Sequence, residues 1–221
     1  CSALATVYAQ AMTPPTLGNT IFNSKPVCYV PASTITSYQT SAWGNYVNTF
    51  EEKDQKCGDN LYWLYVDSTL TIVGTGEMTY STRPWTSGQI ARAFLPEGLK
   101  SIAAEAFSGS KLTSITLPNS LTSIKTSAFY GSTLTSLVLP DSIISIGNYA
   151  FHSTAIYNNT ANWVDGVLYI SDYLINTNSN LPAAYTIKEG TRLIADYARA
   201  KKTFFTVSYH SKGEEIYFDF F

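Results

Sequence analysis

Two histidines, His152 and His210, and three cysteines, Cys1, Cys28 and Cys57, are the side chains here best suited to proton transfer or nucleophilic attack. Catalysis by either type needs a partner within hydrogen-bond reach. Neither histidine stands beside a Ser, Cys or Asp in a recognisable nucleophile motif. The positions 22 and 44 residues before His152 hold Tyr130 and Ser108, so His152 reads as a surface turn residue. An odd number of cysteines leaves at least one unpaired in a monomer, and no Cys-x-x-Cys pair suggests zinc or redox work. Cys28 and Cys57 are expected to be buried and structural. Gly74-Thr75-Gly76 lacks the Gly-Lys-Ser/Thr ending of a phosphate loop, and its glycines are expected to permit a sharp bend. Glu97, Asn119 and Asp141 recur every 22 residues just after a proline. One oxygen in each repeat is too few for calcium, so these read as turn residues. The expectation is therefore no catalytic residue, no cofactor and no metal.

The spacing of the apolar residues says more. Ile90, Ala93, Leu95, Pro96, Leu99, Ile102, Ala106 and Phe107 return 22 residues later as Leu112, Ile115, Leu117, Pro118, Leu121, Ile124, Ala128 and Phe129. They return again as Leu134, Leu137, Leu139, Pro140, Ile143, Ile146, Ala150 and Phe151, and Ile156 opens a fourth turn. A fixed period with L-x-x-L-x-L spacing marks a leucine-rich repeat. In each unit Leu112–Leu117 and its equivalents alternate apolar and polar residues, which predicts a short strand closed by proline. Leu121, Ile124, Ala128 and Phe129 recur at intervals of three or four, which predicts a short helical turn. A single unit cannot bury its own apolar face, whereas stacked units can. The predicted fold is α/β to mostly β: a leucine-rich-repeat right-handed solenoid with short parallel strands, short helical turns and flanking β-hairpins. Strand phase turns Arg92, Phe94, Ser114, Thr116, Ser136 and Val138 outward, and these six residues are the candidate concave binding face.

The Leu-Pro-x-Ser-Leu-x-Ser-Ile-x-x-x-Ala-Phe unit resembles the BspA-like leucine-rich repeats of bacterial surface proteins. Cys57-Gly58-Asp59-Asn60-Leu61-x-Trp63, Leu70-Thr71-Ile72-x-Gly74-Thr75-Gly76-x-Met78 and Pro84-Trp85 resemble the segment that precedes such arrays. Trp163-Val164-Asp165-Gly166 and Ile187-Lys188-Glu189-Gly190 resemble spacers that interrupt them. Pro14-Pro15, Tyr29-Val30-Pro31 and Trp43-x-x-Tyr46 resemble the segment that follows them. The resemblance runs to about Ala198, because the next position holds Arg199 where the pattern has Phe. It implies a bacterial, extracellular or cell-surface location. It also implies a non-enzymatic role in adhesion or protein binding, the partner being a protein or glycan on a host or neighbouring cell. A structural spacer or array fragment without a ligand is the alternative, and a glycan-active enzyme the remote one.

Composition agrees with this reading. Only 14% of the residues are charged, against about a quarter in typical domains. A net charge of −2 offers no basic field for nucleic acid, and no apolar run is long enough to form a transmembrane segment. The expected organisation is an array-terminal repeat-like segment at 1–50, a charged linker at 51–56 and an N-terminal hairpin cap at 57–89. The solenoid follows at 90–199, interrupted by a hairpin at 157–186, and a divergent hairpin or cap closes the chain at 200–221. Trp43, Tyr46 and Phe50 are expected to seal an open end. Leu4-x-x-Val7-x-Ala9 matches the strand phase, so the chain is expected to be cut from a longer array. A lipoprotein cysteine at Cys1 is the other reading. Terminal edge strands are expected to permit self-association.

Overall fold

The computed structural model describes residues 6–9, 13–17, 25–31, 34–53, 56–79, 85–182, 185–196 and 198. Cys1, the Ile21-Phe22 pair, His210 and the expected hairpin of residues 203–221 lie outside them.

Near the start of the chain, β1 (Thr6–Tyr8), β2 (Val27–Pro31) and β3 (Thr49–Lys53) form a parallel sheet in that order. The helix α1 (Ile35–Thr40) drops Tyr38 into a small core with Cys28, Val30, Trp43 and Val47. Thr34 stands at its N-cap position, yet its side chain makes no capping bond. Tyr38 is the hub of the rings: Trp43 lies edge-on at 5.5 Å and Phe50 at 6.1 Å. Of the aromatic group expected to seal an open end, Trp43 and Phe50 thus pack around a tyrosine of α1. The charge run expected as a linker from residue 51 begins instead as part of β3, where Glu51 pairs with Tyr29 and Lys53 with Pro31.

β4 (Lys56–Gly58), β5 (Leu61–Val66) and β6 (Thr69–Gly74) form an antiparallel meander. Asp67 and Ser68 both take positive φ, 46° and 61°, the geometry a two-residue hairpin turn requires. Gly74 has φ of +102°, and a Cβ there would sit 2.0 Å from the Asn60 carbonyl oxygen, so the bend excludes any side chain. The chain then enters the repeats through β7 (Gly76–Glu77), which pairs with β9 (Leu99–Ile102). β8 (Arg92–Phe94) pairs in parallel with β6.

In the repeats the ladder lies one segment later than periodicity predicts. β10 (Ser123–Ile124) and β11 (Ser145–Ile146) join β9 in a parallel sheet, with Ile102, Ile124 and Ile146 in register. Leu112–Leu117, expected as strand, forms no strand and bends at Thr113, and no α-helix lies between Leu99 and Ser153. Intervals of three fit both a helical face and a strand running into a turn, and backbone geometry decides for the second. Glu105, Ser127 and Tyr149 have φ of 60°, 56° and 59°, the wrong sign for a right-handed helix.

These turns carry their own cross-links. Glu105, Phe107 and Gly109 donate N–H bonds of 3.1, 2.7 and 2.7 Å to the carbonyls of Thr126, Ala128 and Tyr130. Ser127, Phe129 and Gly131 repeat the set to Asn148, Ala150 and His152 at 2.8–2.9 Å. The intervening N–H groups turn inward on the chain: Ala128 to Lys125, Tyr130 to Ser127, Ser132 to Phe129. The buried rings of Phe107, Phe129 and Phe151 stack at 5.3 and 5.5 Å between centroids. Trp85 stands 22 residues before Phe107 and continues this phase, donating its Nε1–H to the Ala106 carbonyl at 2.8 Å.

At the other end, α2 (Ala155–Asn158) is capped by Thr154. β12 (Trp163–Val164), β13 (Val167–Ile170) and β14 (Tyr173–Thr177) form the expected hairpin region, and β15 (Leu193–Ile194) adds in parallel to β14. This sheet closes the third repeat: Tyr173 donates its hydroxyl to the Pro140 carbonyl at 2.8 Å, and Arg192 pairs with Asp141 at 2.9 Å.

Two substitutions test this packing. Phe129→Ala removes the middle ring of the stack and is expected to cost about 3–5 kcal/mol; an unchanged urea midpoint would contradict the stacking. The hydroxyl of Ser132 is buried with no hydrogen-bond partner. Removing an unpaired buried hydroxyl relieves its desolvation cost, so Ser132→Ala is expected to hold or raise stability, by up to about 1 kcal/mol. A loss larger than that would show that the hydroxyl has a partner in solution.

Candidate binding face

Arg92, Phe94, Ser114, Thr116, Ser136 and Val138 are all exposed, as strand phase predicts. Phe94 is 61% exposed and Val138 77%. Alternation places Ile115, Leu117, Leu137 and Leu139 on the inner side. The arrangement differs from a continuous sheet. Lys111 donates to the Ile90 carbonyl at 2.8 Å, and Thr135 to the Thr113 carbonyl at 3.1 Å. Beyond those points the outward segments run side by side without a backbone ladder.

Between the first two repeats the separation opens into a groove of about 550 Å³. Arg92, Phe94 and Leu95 line one wall and Thr113, Ser114 and Thr116 the other, with Glu97 and Pro118 toward one end. Four of the six expected residues are thus brought together, while Ser136 and Val138 lie on the next repeat and do not line it. Phase could name outward residues; it could not show that neighbouring segments part, because that depends on backbone pairing. Glu97, expected in a turn, occupies one. Its carboxylate and the Arg92 guanidinium have no ion-pair partner among the described residues.

His152 also lies in a turn, stacked on Tyr130 at 5.7 Å, with Nδ1 at 2.8 Å from Ser153 Oγ. Tyr157 and Trp163 extend this aromatic group, at 4.4 Å from His152 and 5.1 Å from each other. Asn119 and Asp141 sit in turns as expected. Among the described residues no three His, Cys, Asp or Glu side chains gather as a metal site would need.

The BspA type leucine rich repeat region matches residues 86–221 in 6 copies. The chain belongs to that family. The match runs on to Phe221, so the expectation that the repeat resemblance stops near Ala198 is corrected. The Arg199 departure is a lapse of pattern within the array region. A search of curated proteins found no match. Among solved structures, a leucine-rich repeat protein from Eubacterium ventriosum is similar at 18% identity, with a TM-score of 0.38, covering 62% of this chain and 54% of that one. The chain therefore spans about half the length of that structure.

Both described cysteines of this BspA-type chain are fully buried, unpaired thiols. Burial raises the Cys57 pKa from 9.0 to about 12. It raises Cys28 from 9.0 to about 11, partly offset by a backbone hydrogen bond from Ala9. Burial also lifts Tyr38 from 10.0 to about 12, with Cys28 adding to the effect. The sign follows from linkage: the unfolded thiols ionise near pH 9, and the folded ones do not. Their stabilising contribution is complete below pH 9 and is lost as pH rises toward 11–12. The urea midpoint is expected to fall steadily above pH 9, and Cys28→Ala/Cys57→Ala to fall less steeply. Parallel slopes would mean that neither thiol is held neutral by the fold.

Proposed function

We propose that this chain is a non-enzymatic, protein-binding repeat protein of the bacterial surface or secreted space, acting in adhesion. In this reading the repeats form a right-handed solenoid whose concave face carries Arg92, Phe94, Ser114, Thr116, Ser136 and Val138. The observation that carries it is the exposure of those six residues, four of them lining an open groove, in a family whose members act through binding. Phe94 and Arg92 belong to the residue types that anchor protein interfaces, and both project from the face. The family also supports the location, since BspA-type repeats are characteristic of surface and secreted proteins; no described helix is long and apolar enough to cross a membrane.

Arrays of host-surface proteins and of glycans test this against a spacer without a ligand. The expected result is a protein partner whose affinity falls about tenfold or more in Arg92→Ala/Phe94→Ala, the loss of roughly 1.4 kcal/mol or more. The urea midpoint of that variant should stay unchanged, because both side chains are exposed. Full binding by the variant would remove the face from the proposal. Binding to glycans alone would replace the partner class, and no binding at all would favour the spacer.

A further inference from the structure

We propose that the groove between β8 and Thr113–Thr116 takes an extended peptide strand of a partner protein. The strand is held through its backbone, with an acidic side chain at the Arg92 end and a basic one at the Glu97 end. This rests on the reading of the face as a protein-binding surface and names what that surface binds.

The groove is closed at both ends and open between them. Lys111 donates to the Ile90 carbonyl at 2.8 Å where the walls part. They meet again where Gly98 donates to Ser120 Oγ at 2.8 Å and that hydroxyl donates to the Leu99 carbonyl at 2.8 Å. β8 is the edge strand of its sheet, bonded to β6 on one side only. Arg92 N–H points to the Ser68 carbonyl on that side, at 3.2 Å. Peptide groups alternate direction along a strand, so the N–H and C=O of Ala93 face the groove. Across it, the N–H groups of Ser114, Ile115, Thr116 and Leu117 donate to nothing among the described residues. An edge strand facing a segment with open N–H groups offers the backbone partners that strand addition uses.

Side chains set the register. Ala93 and Ile115 are half-buried at the floor, which favours an apolar inward residue. Arg92 and Glu97 are five positions apart in sequence, and neither has an ion-pair partner among the described residues. Opposite charges at the two ends favour a strand with complementary charges at the same separation. A single unpaired Arg beside an unpaired Glu offers no track for phosphates.

The test uses two acetylated, amidated seven-residue peptides, each with Glu and Lys five positions apart and Val and Thr alternating elsewhere. One has Glu first and the other Lys first, since a strand can enter in either direction. Binding to the intact chain is followed by fluorescence polarisation. One order is expected to bind, and N-methylation of two alternate backbone amides should weaken it about tenfold or more, the loss of two hydrogen bonds. Arg92→Glu should weaken the same peptide, and replacing the peptide's Glu with Lys should restore binding to that variant. Binding by neither peptide overturns the proposal, as does full affinity after N-methylation of both alternate sets. Equal affinity for Arg92→Glu and the parent chain overturns the charge assignment. If a protein partner depends on Arg92 and Phe94 while both peptides fail, strand addition falls and the binding-face reading stands.

Discussion

The fold depends on peptide groups that bridge successive Ala-Phe turns. In the first two turns alternate N–H groups leave the chain for the next repeat, and those between bond three residues back. The first set fixes the spacing and register of neighbours; the second fixes the shape of the turn. Both requirements hold only if the residue before the Ala-Phe pair adopts positive φ, as Glu105, Ser127 and Tyr149 do. Each pays a local conformational penalty of about 1–3 kcal/mol. The inter-repeat bonds and the stacked phenylalanines offset it, and they exist only when a neighbour is present. Stability is therefore a property of the stack and cannot be assigned to a repeat in isolation.

The three in-phase repeats are flanked on either side by segments that meet them with different chemistry. Toward the start of the repeats, Trp85 replaces phenylalanine. Its indole fills the ring phase and its Nε1–H satisfies the Ala106 carbonyl, a job a backbone N–H performs elsewhere. Trp63 braces it edge-on at 5.8 Å. Toward the other side the β13–β14 hairpin presents side chains to the third repeat, with Ser171 accepting from Leu139 N–H and Tyr173 donating to the Pro140 carbonyl. Hydrogen bonds from side chains take the place of a ladder where the hairpin meets the third repeat.

Much of this was legible from residue types. The 22-residue phase named the buried set, including Phe107, Phe129 and Phe151, because core positions must be apolar in every unit. What the sequence hid was backbone state. Leu121 and Ile124 are three apart in a helix or in a strand entering a turn, and Glu, Ser and Tyr at the left-handed position carry no common signature. The same limit applied to the candidate face. Outward residues could be named one by one, but the parting of Arg92–Leu95 from Thr113–Thr116 is a matter of unmade bonds, which no residue type announces.

The distribution of bonds also explains how one short repeat can be both rigid and open. From Leu99 to Ser110, and in the equivalent stretches, nearly every element is tied to its neighbour by ladder bonds, turn bonds or a stacked ring. That dense half tolerates little change in register, because shifting one turn breaks three inter-repeat bonds and a ring contact together. The half from Lys111 to Leu117 is anchored by its inward Leu112 and Leu117, which are buried, while its peptide groups stay largely unused. Burial on one side anchors such a segment without demanding a ladder on its edges. The segment from Lys111 to Leu117 is thereby held in place with its N–H groups beyond Thr113 left open. A binding strand would meet walls already ordered, and the entropy of forming them is supplied by the packed half of the repeat.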